Sequence, residues 1–128
     1  MLGVLSAPLG WLATLLVCLP FAVSAATKLL DQPAALEEMA AGGFPRSLPL
    51  LLGIVAYQLL GVALLLTLLA PLAGAALLAA VLFAATVTYH QFWREAGAVR
   101  IAKLNHFCEN LALIGALAFS ATCPWVPA

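Results

Sequence analysis

The residues able to do chemistry in this chain are few, and they cluster. Between Tyr89 and Leu117 lie both histidines, His90 and His106, three of the five basic residues and the adjacent Glu109 and Asn110. Outside that stretch, Lys28 closes one long apolar run and Gln58 interrupts another. Imidazole and carboxamide groups can hydrogen-bond to the oxygens of a quinone headgroup. An apolar cleft with a few convergent polar groups is the setting such a ligand needs. Gln58, His90 and Asn110 are therefore candidate quinone contacts, with Trp93 or Phe107 beside the ring. The alternative is that these groups only satisfy one another and fix helix register. His90 and His106 also raise b-type haem, which requires two imidazoles at one depth on adjacent helices. Wetted interfacial histidines beside a basic loop carry more weight, so haem is the weaker expectation. No phosphate-binding glycine loop, nucleophile elbow or metal motif appears, and no catalytic residue is assigned. Cys18, Cys108 and Cys123 form no CxxC pair and are odd in number. They read as small buried apolar side chains rather than a disulfide framework or zinc site.

The elements that must position these residues are set by composition. Apolar residues make up 66% of the chain and charged residues 8%, where a soluble domain carries about 25% charged. Mean hydropathy is +1.14. The expectation is a single-domain integral membrane protein in a lipid bilayer. Zero formal net charge leaves no basic surface for nucleic acid.

Hydropathy predicts an all-α, antiparallel four-helix transmembrane bundle with spans at about 9–30, 47–69, 72–93 and 104–126. The first resembles a signal peptide around Ala22 to Ala26, but no basic residue precedes Leu9, and it is read as a membrane helix. The linker 31–46 is the most hydrophilic segment, with a short helix over 34–41 lying at the membrane surface. Gly53 and Gly61 flank Tyr57 at intervals of four in the second span, and small residues repeat every four positions at Ala76, Ala80, Ala84 and Thr88 in the third and at Ala112, Ala116 and Ser120 in the fourth. Such stripes predict close helix packing. Trp11, Trp93 and Trp125 fall near span ends, as interfacial anchors do.

All five basic residues flank the first and third connections, so the positive-inside rule places loops 31–46 and 94–103 in the cytoplasm and both termini outside. Lys28, His90, His106, Glu109 and Asn110 then share one membrane face. Helical rise puts Glu109 about 7 Å into its span and Gln58 roughly 16 Å into the second. A carboxylate at that depth needs a partner. Lys28 is the expected one, giving a structural polar pair of Lys28 and Glu109.

These residues resemble the DoxX family of small four-helix membrane proteins. The resemblance runs from Phe21 to Ser120. It rests on Ser24-Ala25-Ala26-Thr27-Lys28-Leu29-Leu30-Asp31, the Gly43-Phe44-Pro45 turn, Gln58-Leu59-Leu60-Gly61, His90-Gln91-Phe92-Trp93, and Phe107-Cys108-Glu109-Asn110-Leu111-Ala112-Leu113-Ile114-Gly115. The chain departs from the family pattern where glutamate is usual at Gln58 and lysine at Glu109. The resemblance implies a bacterial inner-membrane location and a link to quinone-reducing or thiol-related oxidoreductase systems. Two functions follow as expectations: an accessory or structural subunit of a larger membrane complex, or a quinone-linked oxidoreductase component with its own pocket. Partners would be other membrane subunits, with a soluble redox protein at the basic loop 94–103.

Overall fold

A computed structural model describes residues 2–122, with side chains from Pro8 onward. It is all-helical, with no strand among the described residues. The helices are α1 (Leu2–Leu30), α2 (Gln32–Ala41), α3 (Leu48–Leu66), α4 (Pro71–Tyr89) and α5 (Gly97–Thr122), with a single 3-10 turn at Phe92–Arg94. Three segments are long and apolar enough to cross a membrane, namely Pro8–Leu30, Leu48–Leu66 and Pro71–Arg94, which marks a membrane protein. The 26-residue α5 has the length but carries Arg100, Lys103 and Glu109 in its first half. Cys123 and Trp125, and with them the end of the expected fourth span, lie outside the described residues.

Local chemistry explains where the helices stop. Asp31 caps α2 by accepting from the Ala34 amide at 3.2 Å, with Pro33 in the first turn. Ser47 caps α3 in the same way through the Leu50 amide at 3.4 Å, and Pro49 follows in its first turn. Leu68, at φ 58°, takes a left-handed conformation that leucine avoids. It ends α3 and turns the chain into Pro71, the first residue of α4. The second span thus stops at Leu66 rather than 69. The α-helix of the third ends at Tyr89, with the 3-10 turn carrying the apolar segment on to Arg94, and the fourth helix starts at Gly97 rather than 104, because Arg100 and Lys103 are good helix formers that extend it outward.

Helix α3 touches α1 and α4, α4 touches α5, and α5 returns to α1. One core gathers Cys18, Phe21, Leu65, Ala75, Leu78 and Leu117 from all four of these helices. A second, formed by Ala35, Met39 and Leu51, ties α2 to α3. Helices α3 and α4 come closest near their connecting turn. A Cβ on Gly74 would lie 2.7 Å from the Gly61 carbonyl oxygen, and one on Gly61 would lie 2.8 Å from the Leu78 side chain.

The small-residue stripes are corrected here. Gly61 packs as expected, whereas a Cβ on Gly53 would meet nothing within 4 Å. Ala76, Ala80, Ala84 and Ala112 are exposed, and the buried face of α4 is Gly74, Ala75, Leu78 and Thr86. Where a helix faces lipid on one side and helices on the other, alanine suits both, and a four-residue repeat does not say which face it marks.

Gly74→Ala is expected to lower unfolding stability in detergent by about 1–3 kcal/mol, because backbone atoms must move. Gly53→Ala should change it by less than about 1 kcal/mol. Equal losses would refute the assignment of the tight contact to one end.

Candidate functional site

Between the two apolar cores lies a cavity of about 580 Å³. Phe21 from the first core and Ala35 and Met39 from the second form part of its wall. Leu50, Ile54 and Gln58 of α3 line it as a stripe of four-residue steps, and α4 faces them with Val81, Leu82, Ala85 and Thr88. The polar groups come from separate helices: Ser24 and Lys28 from α1, Glu38 from α2, Gln58 from α3, Asn110 from α5, and His90 just past the end of α4. Gln58, His90 and Asn110, expected to converge from sequence, do line one cavity.

Their bonding differs from group to group. The Asn110 carboxamide donates to Thr86 Oγ1 at 3.0 Å and joins α5 to α4. The Thr86 hydroxyl in turn donates to the Leu82 carbonyl at 2.6 Å. Lys28 donates to Ser24 Oγ one turn earlier in its own helix. Gln58 is 5% exposed, and its Oε1 has no hydrogen-bond partner. An unpaired acceptor buried in apolar surroundings costs about 1–3 kcal/mol. It is the only such side-chain atom among the described residues.

Two expectations are corrected. Glu109 does not meet Lys28: its carboxylate lies 3.4 Å from His106 Nδ1, with both side chains largely exposed, and Lys28 is turned into the cavity. The cause is helical phase, because Glu109 is one step of about 100° from Asn110 and points outward when Asn110 points in. Trp93 is 51% exposed and is not part of the cavity wall. The chain leaves α4 after Tyr89, and the 3-10 turn stacks Phe92, Trp93 and Phe107 edge to face at 5.3–6.1 Å. His90 and His106 stack on each other with centroids 5.2 Å apart. Facing rings do not aim two nitrogens at one iron between them, so this pair does not form a haem site.

Sequence reasoning missed α2 as a wall. Ala35 and Met39 are four residues apart with Leu36 beside them, and that apolar stripe was the available signal. The helix is clipped to α4 by the Tyr89 hydroxyl, which donates to the Glu38 carbonyl at 3.2 Å. Gly42 makes room, since a Cβ there would lie 2.6 Å from that hydroxyl oxygen. Basic side chains at this end are partly paired, Arg46 with Glu37 at 3.0 Å and Lys103 with Glu95 at 2.8 Å. Cys18 is buried and Cys108 exposed, both as free thiols. No metal-binding group of three or more His, Cys, Asp or Glu occurs among the described residues.

No family model, curated protein or solved structure matches the chain.

A double-mutant cycle on Asn110→Ala and Thr86→Val should show a coupling of about 0.5–1.5 kcal/mol. The Lys28→Met and Glu109→Gln pair should be additive. Coupling in the second cycle would contradict the outward placement of Glu109.

Proposed function

We propose that this chain is a DoxX-like integral membrane protein, an antiparallel four-helix transmembrane bundle in which α5 makes the fourth crossing, and that it binds a quinone in the cavity as a component of a redox-linked membrane complex. The single observation that carries the reading is the buried, unpaired Oε1 of Gln58 in the wall of a cavity of about 580 Å³. That volume falls within the roughly 300–1,000 Å³ of small-molecule sites, and the wall has the right character, apolar with a few polar groups.

The residues present fit a quinone. The Gln58 carboxamide can donate to a carbonyl oxygen or, turned over, accept from a quinol hydroxyl. His90 and Lys28 stand in the same wall and can reach a ligand oxygen. A quinone held there would accept two electrons and two protons. Gln58 cannot supply a proton, whereas the His90 imidazole, at the loop end, could relay both from water, one at a time. The electrons would come from a partner, and the exposed Trp93, with Arg94 and Arg100, offers an aromatic and basic surface for a soluble redox protein. Loops 31–46 and 94–103 are taken as cytoplasmic, in a bacterial inner membrane, because every basic residue lies at that end.

A second reading, a noncatalytic accessory subunit, is favoured by the Asn110–Thr86 bond, in which one cavity polar group, Asn110, is engaged in joining α5 to α4.

Gln58→Leu separates the two. Purified in mild detergent, the wild-type chain should carry extractable quinone near one per chain, and the variant should lose it. The quinone-free variant should also unfold later than quinone-free wild type, by about 1–3 kcal/mol, since an unsatisfied acceptor is gone. A wild-type chain purified without quinone would sink the quinone reading, and a variant that keeps its quinone would remove Gln58 from the site. Recovery only with other membrane subunits and without quinone would support the accessory role.

A further inference from the structure

A second hollow of about 430 Å³ lies on the outer side of the α3–α4 pair, lined by Pro49, Leu50, Gly53, Ile54, Tyr57, Ala80 and Val81. Leu50, Ile54 and Val81 also line the cavity, so the furrow and the cavity share a wall. The furrow is apolar and open outward, on two helices that each have the length and composition of a membrane crossing. Its floor is kept low by small residues. Gly53 and Ala80 are both exposed, and a Cβ on Gly53 would meet nothing within 4 Å. Glycine inside a helix normally needs a close neighbour to justify it, and Gly61 and Gly74 have one. Gly53 has open space instead.

We propose that the furrow holds the hydrocarbon tail of the ligand whose headgroup sits in the cavity, and that a long-tailed, bilayer-dissolved quinone reaches the site sideways between α3 and α4. This rests on the quinone reading and adds the substrate class and the route. A ligand with its polar end at Gln58 and a long apolar chain must lead that chain out of a cavity too small for both. The shared Leu50–Ile54–Val81 wall is where cavity and outside adjoin through apolar side chains alone. Lipid chains are as apolar as leucine, so the furrow adds little affinity to a tail already in the bilayer. Its role is to leave an exit, and filling it excludes a tail by overlap.

The test uses the full chain in lipid nanodiscs and two probes, a tail-less benzoquinone and the same ring with an isoprenoid chain of about forty carbons, too large for the cavity, with binding measured against probe concentration in the membrane. Wild type should bind both. Gly53→Trp, and independently Ala80→Phe on the facing wall, should weaken the long-tailed compound about tenfold or more while leaving the tail-less compound within about twofold. Selective loss in either variant supports the furrow. If both variants bind the long-tailed compound as wild type does, or lose both compounds equally, the furrow is not the tail site, and the headgroup reading stands on the wild-type binding. If wild type binds neither probe, the quinone reading itself fails and the furrow loses its occupant.

Discussion

The contact between Gly61 and Gly74 governs the shape of everything around it. Two helices of 19 residues each meet where neither has a side chain, so their backbones approach until the Gly61 carbonyl fills the space a Cβ on Gly74 would need. At Gly53, about 12 Å further along α3, that intimacy is gone. Closeness at the turn and room at the far end go together, and the room is shared between an enclosed cavity and an outward furrow. Phe21 from α1 and Met39 from α2 reach into the space without filling it.

In so apolar a protein, polar side chains mostly satisfy themselves within their own helix. Thr14, Thr67, Thr86, Thr88 and Thr122 each donate to the carbonyl four residues back, and Gln91 does the same through its amide. This removes the threonine hydroxyl groups from the list of donors that could cross between helices. Besides the Tyr89 hydroxyl that reaches α2, Asn110 crosses, and it takes Thr86, whose hydroxyl oxygen still has acceptor capacity. Gln58 Oε1 is an acceptor, which a backbone carbonyl four residues back cannot satisfy, and no donor pairs with it. Its isolation is therefore a property of the site and not of polar residues in this fold generally.

What the sequence made legible follows from which residues carry phase information. A lone amide or imidazole in an apolar helix cannot face lipid cheaply, so Gln58, His90 and Asn110 could be directed to one interior from their identities alone. Glu109 lies beside Asn110 in sequence yet faces away, one helical step of about 100° round, where its carboxylate is exposed beside the imidazole of His106. Alanine carries no such information, so the stripe on α4 runs along an exposed side at Ala76 and Ala80 and reaches the cavity only at Ala84 and Thr88. Trp93 was lost for a different reason: the chain stops being helical at Tyr89, and helical spacing no longer predicts direction. Segment 31–46, read as a surface linker, was judged by its charges, while its contribution to the cavity came from Ala35 and Met39.

The charge state of the deep site narrows what can occupy it. A carboxylate at position 58 would demand a counter-charge in the same apolar pocket or remain protonated, whereas a carboxamide carries no charge at any pH and costs far less to bury. The formal charges lining the cavity are Lys28 and Glu38, one of each sign. They sit at the end of α1 and on α2, whereas Gln58 lies deep in α3, so charge is confined to the loop end and the interior stays neutral. An anion drawn to Lys28 would meet the Glu38 carboxylate in the same wall, and a cation drawn to Glu38 would meet Lys28. A neutral ring with oxygens to share between an amide and an imidazole meets neither opposition, which is why the balance of charge favours a neutral ligand, such as the proposed quinone, over an ionic one at this site.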